Sequence, residues 1–297
     1  MLALGACSPA PHAAAPRHYP TVVSLNPCTD AILAEVADPQ QILAISAYSH
    51  NAASSSMDLA VARRFRKTSG AVEEVLALRP DLVVTSTFMP PATRSAMTGL
   101  GLSLEEVPIA STVSESIAQV RRLAAITGHP ERGEALVSRI ELALADAAAP
   151  AGWQPIQTVV WESGGIVPGD NTLIAELLRH AGFTNFSAAK GMRQADLLPL
   201  ERMLADPPKL ILVAGNPRSG EDRQLTHPAL AALKNVRRER LDPALLYCGG
   251  PTIIRAAERL AQVRASTSSA RAGTVENSRS PLRLSLSKPA RNSGPTL

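Results

Sequence analysis

The sequence predicts an α/β protein of two similar lobes with mostly parallel sheets joined by one long helix. Three observations predict it. A stretch running from Val72 to Val84 recurs without a gap from Leu200 to Leu212, since 201 − 73 and 208 − 80 both give 128. Each copy reads as a short helix with a glutamate in its first turn, a proline that cannot continue it, and a buried apolar strand. Every apolar position keeps its character except Leu78, which meets Asp206. The second observation is that β-branched runs alternate with helix-patterned segments in both halves, which argues parallel strands joined by helical crossovers. The third is an unbroken helical pattern from Glu131 to Ala148, between the copies.

The elements follow in order. Thr21 to Leu25 is a β-branched run, and Thr29 or Asp30 is the expected N-cap of a helix through Ile32, Leu33 and Val36. Ile42 to Ile45 is the next strand, followed by Tyr48-Ser49-His50. Asn51 to Met57 and the basic cluster Arg63 to Lys67 read as loop and surface helix. The first repeat gives helix 70–78 and strand 82–85, closed by Phe88-Met89-Pro90-Pro91. A helix over 93–100 and a strand over 104–107 complete a lobe spanning 21–112.

Residues 113–149 connect the lobes through two helical stretches separated by Gly128-His129-Pro130. In the second, Leu136, Ile140, Ala143 and Ala147 recur at helical spacing, Pro130 suits a first turn, and Pro150 stops the run. At 1.5 Å per residue it is roughly 27 Å long, enough to act as a strut. The second lobe, 150–264, repeats the plan. It has a strand over 158–161, a Gly164 to Asp170 loop, a helix over 172–180 ended by Gly182, and the second repeat. His227-Pro228 opens a further helix, Leu245-Leu246-Tyr247 reads as the last strand, and Ile253 to Val263 as the closing helix. Residues 265–297 are rich in Ser, Arg and Pro without periodicity and read as a disordered tail.

The formal net charge of +4 is concentrated in that tail, where Arg271, Arg279, Arg283, Lys288 and Arg291 face only Glu276. The body is near neutral, so no basic stripe supports a nucleic-acid partner. No apolar run approaches the roughly 20 residues of a membrane span. Among three cysteines, Cys7 ends the run Leu4-Gly5-Ala6-Cys7, which resembles a bacterial lipobox. The Ala/Pro/His stretch after it, to residue 20, suits a tether. Lipidation of Cys7 is the expectation. The six residues before it are fewer than the roughly 7 to 15 of a signal core, so either the start is placed too late or the match is accidental.

In open α/β sheets ligands bind at the carboxyl ends of strands. The chain has two Trp, three Tyr and four Phe, and Tyr48, Phe88, Trp161 and Tyr247 all fall at or just past such ends, in both lobes. Any one of them alone is an ordinary core or loop aromatic. Together they point to a shared cleft with aromatic walls and a large flat ligand. Glu73 and Glu201 complement their helix dipoles, which needs no function. Their equivalent positions make them a symmetric carboxylate pair suited to arginines on a two-fold symmetric partner. Cys28 and Cys248 each follow a strand, one per lobe. Two free thiols is the default, with a disulfide or a soft ligand pair open. His50, His129, His180 and His227 lack metal-ligand spacing, so no metal site is expected. The Gly164 to Asp170 loop lacks the P-loop and dinucleotide-binding patterns and reads as a turn. No nucleophile elbow or catalytic carboxylate pair is evident, and no catalytic residue is assigned.

Taken in order, several segments resemble the periplasmic substrate-binding proteins of ABC importers for vitamin B12, iron-siderophore and haem. Val22 to Pro27 is similar to that family's opening strand, and Glu73 to Val83 to its most recognisable motif. Leu178 to Asn185, Leu200 to Val213 and Gly250-Pro251 also fit. The resemblance implies a monomeric periplasmic receptor, anchored as a lipoprotein through Cys7, with two rigid lobes and no resident cofactor. Such a receptor captures cobalamin, haem or a ferric siderophore and delivers it to a dimeric permease. It implies that Glu73 and Glu201 meet permease arginines. It places Asn26, Tyr48, His50, Phe88, Trp161, Tyr247 and Cys248 around the ligand, with Tyr48 or His50 on haem iron or Tyr48 stacked on a corrin. The rival reading is a two-lobed α/β transferase with its active site in the same cleft, for which a catalytic base and a nucleotide site are missing.

Overall fold

A computed structural model describes residues 19–215 and 227–277. The first lobe holds a five-stranded parallel sheet of Val22–Ser24 (β1), Ile42–Ser46 (β2), Lys67–Thr68 (β3), Leu82–Ser86 (β4) and Leu104–Val107 (β5). Its spatial order is β3-β2-β1-β4-β5. Helices Pro27–Val36 (α1), Leu59–Ala62 (α2), Val72–Leu78 (α3) and Pro91–Gly99 (α4) make the crossovers. Val113–Ile126 (α5) and Pro130–Ala147 (α6) then lead out of the lobe. Thr112 and Glu115 form a reciprocal capping box at the start of α5.

The second lobe has a parallel sheet of Ile156–Glu162 (β6), Phe183–Asn185 (β8), Leu210–Ala214 (β10) and Arg237–Arg240 (β11), in the order β11-β10-β6-β8. A small antiparallel ribbon pairs Ile166–Pro168 (β7) with Ala195–Leu197 (β9). Leu173–His180 (α7), Phe186–Ala189 (α8), Leu200–Ala205 (α9) and Pro228–Ala231 (α10) complete it, and Thr252–Asn277 (α11) returns along α6. Both repeat copies form helix then strand, with α3 and β4 matched by α9 and β10 at the same offset.

Side-chain alternation along the strands builds the layers. Val22 and Val84 from the first sheet join Val160 and Leu212 from the second, with Ile140 of α6 and Leu260 of α11, in one continuous buried cluster. The alternate residues face outward into separate clusters, Val23 and Val83 with Val75 of α3 in the first lobe and Val159, Trp161 and Ile211 in the second. A core shared by both lobes and α6 resists hinging, because close-packed interiors do not deform continuously. Among the described residues, no helix is long and apolar enough to cross a membrane.

Four local expectations are corrected. The N-cap of α1 is Asn26, not Thr29 or Asp30, because Pro27 occupies the first helical position and Asn26 Oδ1 accepts from Cys28 N at 2.9 Å. Leu245 to Tyr247 is no strand. Asp242 caps a 3-10 turn at Pro243–Leu245, and the last strand is β11, whose Arg-Arg-Glu-Arg sequence hides it from an apolar pattern. The closing helix does not stop at Val263 but runs to Asn277, so the segment expected to be disordered from 265 starts as helix. No proline interrupts it before Pro281, and Arg264 donates to the carbonyls of Ala147 and Ala181. Cys28 and Cys248 are not free thiols but a disulfide. Residues 1–18, with Cys7, and residues 278–297 lie outside the described residues.

Candidate ligand-binding cleft

The carboxyl ends of the two sheets meet where the disulfide joins Cys28, at the start of α1, to Cys248, with a Cα–Cα distance of 5.0 Å. The turn around Cys248 is held from all sides. Tyr247 Oη donates to the Glu162 carboxylate at the end of β6. Cys28 Sγ lies 3.7 Å from the Tyr247 carbonyl oxygen, and Gly250 N donates to Ser116 Oγ of α5 at 2.7 Å. Thr252 Oγ1 donates to the Ser56 carbonyl at 3.4 Å. A Cβ at position 249 would sit 2.2 Å from Ser116 Oγ, and Gly250 has φ +59, so both must be glycine. First lobe, connecting helix and second lobe therefore all anchor one turn.

Burial raises the carboxyl of Glu162 above its ordinary value, which the Tyr247 hydrogen bond opposes. The Tyr247 phenol is raised too, first by burial and then by Glu162, so it stays a neutral donor to Glu162.

In the first lobe, Asp30 organises the turn after β2. Its Oδ2 accepts from Ser46 N at 3.0 Å and from Ser49 Oγ at 2.6 Å. Ser54 Oγ donates to the Tyr48 carbonyl at 2.8 Å. Asp30 is fully buried and its Oδ1 has no hydrogen-bond partner. Burial pushes its carboxyl up to about 8, held back only in part by the serines around it.

With the turn pinned below, Tyr48 projects outward at 65 % exposure. Phe88, past the end of β4, is 71 % exposed while Met89 beside it is buried, and Tyr247 is 59 % exposed. The other six aromatics are buried or half-buried. His50 is half-buried, with Nε2 sealed and unpartnered. Asn26 is half-buried and spends its side chain on the α1 cap.

Trp161 does not line the cleft. It is 0 % exposed on the outer face of β6, packed with Phe186 and Met203, because strand parity turns it away from the shared core. Cys248 is buried in its disulfide and offers no thiol. Sequence reasoning missed Glu162 and the positioning role of Asp30. The strand-end rule reaches Glu162, one residue past Trp161, whereas nothing local marks Asp30 as more than a capping candidate.

Glu73 and Glu201 are exposed in the first turns of α3 and α9, and neither forms an ion pair among the described residues. Glu74 differs: it accepts from Thr68 Oγ1, Ser69 N and Ser69 Oγ, bonds that lower its carboxyl below the ordinary range. Grooves occur away from the cleft, for instance about 560 Å³ between α6 and α11. No group of three or more His, Cys, Asp or Glu among the described residues is arranged to hold a metal.

Known structures share this architecture. The fold is similar to a periplasmic heme-binding protein from Pseudomonas aeruginosa, with a TM-score of 0.66 and 21 % identity over 82 % of this chain and 92 % of that one. It is similar to the periplasmic vitamin B12 binding protein of Vibrio cholerae, with a TM-score of 0.63 and 19 % identity over 82 % and 95 %. The periplasmic heme-binding protein HutB of Vibrio cholerae gives a TM-score of 0.67 and 18 % identity over 82 % and 98 %. No curated protein sequence matches the chain. A sequence model described as periplasmic binding protein matches residues 22–243. That span takes in both sheets, both repeat copies and α6, and the chain belongs to the periplasmic binding protein family.

Proposed function

We propose that the protein is the substrate-binding component of an ABC importer, capturing an iron chelate or corrinoid between its lobes and delivering it to a membrane permease. One observation carries the reading. The three exposed aromatics come from both lobes: Tyr48 and Phe88 lie just past the ends of β2 and β4, and Tyr247 follows the 3-10 turn of the second lobe with its hydroxyl on Glu162 at the end of β6. A flat conjugated ligand can cover such rings by stacking on them. The similar structures named as heme and vitamin B12 binding proteins support the same ligand class. The role is that of a receptor and not an enzyme. Tyr48, Phe88 and Tyr247 form the walls, and Asn26 and His50 lie beside them.

Titration with haem, cobalamin and a ferric siderophore, followed by quenching of tryptophan fluorescence, tests the reading. One of the three binds, and Tyr48→Ala or Tyr247→Ala weakens it on the order of 10- to 100-fold. Binding of a nucleotide sugar with none of these three would overturn the proposal in favour of the transferase.

Glu73 and Glu201 are the proposed contacts to permease arginines. They are exposed and form no ion pair among the described residues, which leaves them available, and they head equivalent helices. Replacing both by alanine lowers ligand uptake in a transport assay by on the order of 10-fold or more, with ligand affinity unchanged. Lost affinity in that variant would instead put the pair in the pocket or the fold.

A further inference from the structure

The outer edge of the first lobe carries a charge cluster that ligand capture leaves unused. Arg63, Arg64, Arg66 and Lys67 are all exposed, immediately before and within β3, the edge strand of its sheet. None of the four forms an ion pair among the described residues. Glu74, the carboxylate that Arg66 influences through space, is already occupied by Thr68 and Ser69. The cluster is continuous with the helix proposed to meet the permease: Arg66 and Lys67 share a groove with Glu74 and Leu78 of α3, and Glu73 is the next residue.

We propose that this basic edge is a membrane-contact patch that binds anionic phospholipid headgroups beside the lobe tip carrying Glu73. The proposal rests on the permease-docking reading for its orientation, because a tip that meets a permease also faces the bilayer around it. The composition of the patch selects lipid over an acidic protein. Specific protein interfaces are built on a buried apolar centre. Here the one aromatic, Phe65, is turned inward at 8 % exposure, and Ala62 is buried beneath it in sequence. What remains is cationic and lacks an apolar anchor. That suits a diffuse anionic surface, where each Lys or Arg near the headgroups strengthens binding about fivefold.

The test uses the full chain carrying Cys7→Ser, so that no acyl chain contributes. It is sedimented with vesicles of phosphatidylglycerol and phosphatidylethanolamine, and with vesicles of phosphatidylcholine alone. The expected result is binding to the anionic vesicles only, fading as salt rises. The triple variant Arg63→Gln, Arg64→Gln, Arg66→Gln should bind on the order of 100-fold more weakly, with an unchanged thermal melt confirming that it folds. Equal binding to both vesicles, or none, overturns the proposal and leaves the charges as protection of a sheet edge. Unchanged anionic binding in the triple variant also overturns it, by assigning the effect to other cations such as those beyond residue 270. Lost transport in the triple variant without vesicle binding puts an acidic protein on the patch, again against the proposal. Should the Glu73→Ala, Glu201→Ala variant keep transport while binding anionic vesicles normally, the docking reading fails and the patch stands.

Discussion

Replacing Cys28 and Cys248 together by serine lowers the free energy of unfolding by about 5 kcal/mol, one of the two largest effects expected of any change to this chain. The cross-link closes a loop across a sequence separation of 220. In the chain-entropy description, forbidding that loop to open in the unfolded state removes on the order of 18 cal/mol/K, or about 5 kcal/mol at 25 °C. The folded state loses little by comparison. Both lobes remain in one continuous core, and the Tyr247 turn keeps its bonds to Glu162 and Ser116. The unfolded chain, freed of its tie, expands and exposes more surface, so the denaturant slope rises as well. Urea melts of the oxidised protein and the double variant read both quantities. Coincident midpoints would mean that the lobes unfold independently, so that the loop is never open in the state being compared. Ligand affinity should change far less than stability, because the disulfide joins groups that packing already brings together.

The parts of the fold that the sequence made legible are those whose residues have one environment. Leu82 to Val84 and Leu210 to Leu212 are buried or nearly so along both faces, and an unbroken apolar run between a proline and polar residues admits little else. The long α6 was equally readable, since Leu136, Val137 and Ile140 are all buried on one stripe. Choices of side were not readable. Trp161 sits at a strand end as expected, yet parity sends it outward, and a one-residue difference in facing leaves no trace in local composition. The edge strand β11 was missed because its alternate residues stay in water, where arginine and glutamate are stable. Conversely, Leu245 and Leu246 are buried in a turn, which imitates a strand in an apolar pattern.

The candidate site divides the same way. Tyr48 and Phe88 are legible because aromatic residues are scarce and strand ends are predictable, whereas Tyr247 is exposed after a 3-10 turn that an apolar pattern takes for a strand. What holds them was hidden, because it depends on contacts between distant residues. Tyr247 meets Glu162 at a separation of 85, and its turn meets Ser116 of α5 at a separation of 134. Two cysteines in different lobes carry no mark of their pairing until the sheets converge. The exposed wall is thus a property of sequence position, and its rigidity a property of the tertiary fold.

Asp30 should separate two substitutions that look alike on paper. With its carboxyl raised to about 8 in the fold and near 4 in the unfolded chain, the protein holds a proton that unfolding releases between those pH values. The sign follows: more protons are bound in the native state across that window, so stability falls as pH rises from about 4 to about 8 and levels off beyond. Asp30→Asn removes this dependence. Its amide oxygen can still accept from Ser46 N and Ser49 Oγ, while its NH₂ replaces the unpartnered Oδ1, so it mimics the neutral acid. Asparagine and wild type should melt alike near pH 4, and the variant should gain several kcal/mol over wild type by pH 8. Asp30→Ala strands two buried donors, Ser46 N and Ser49 Oγ, at about 1 to 3 kcal/mol each. It should be the less stable protein at pH 4 and approach wild type above pH 8, where the charge it removes is itself a burden. Only the alanine variant loosens the turn beneath Tyr48, so ligand affinity should fall there and hold in asparagine. Thermal melts of the three proteins across this range decide the matter. An asparagine variant less stable than wild type at pH 8 would mean that Asp30 is ionised in the fold and that its charge, not its proton, holds the Tyr48 turn in place.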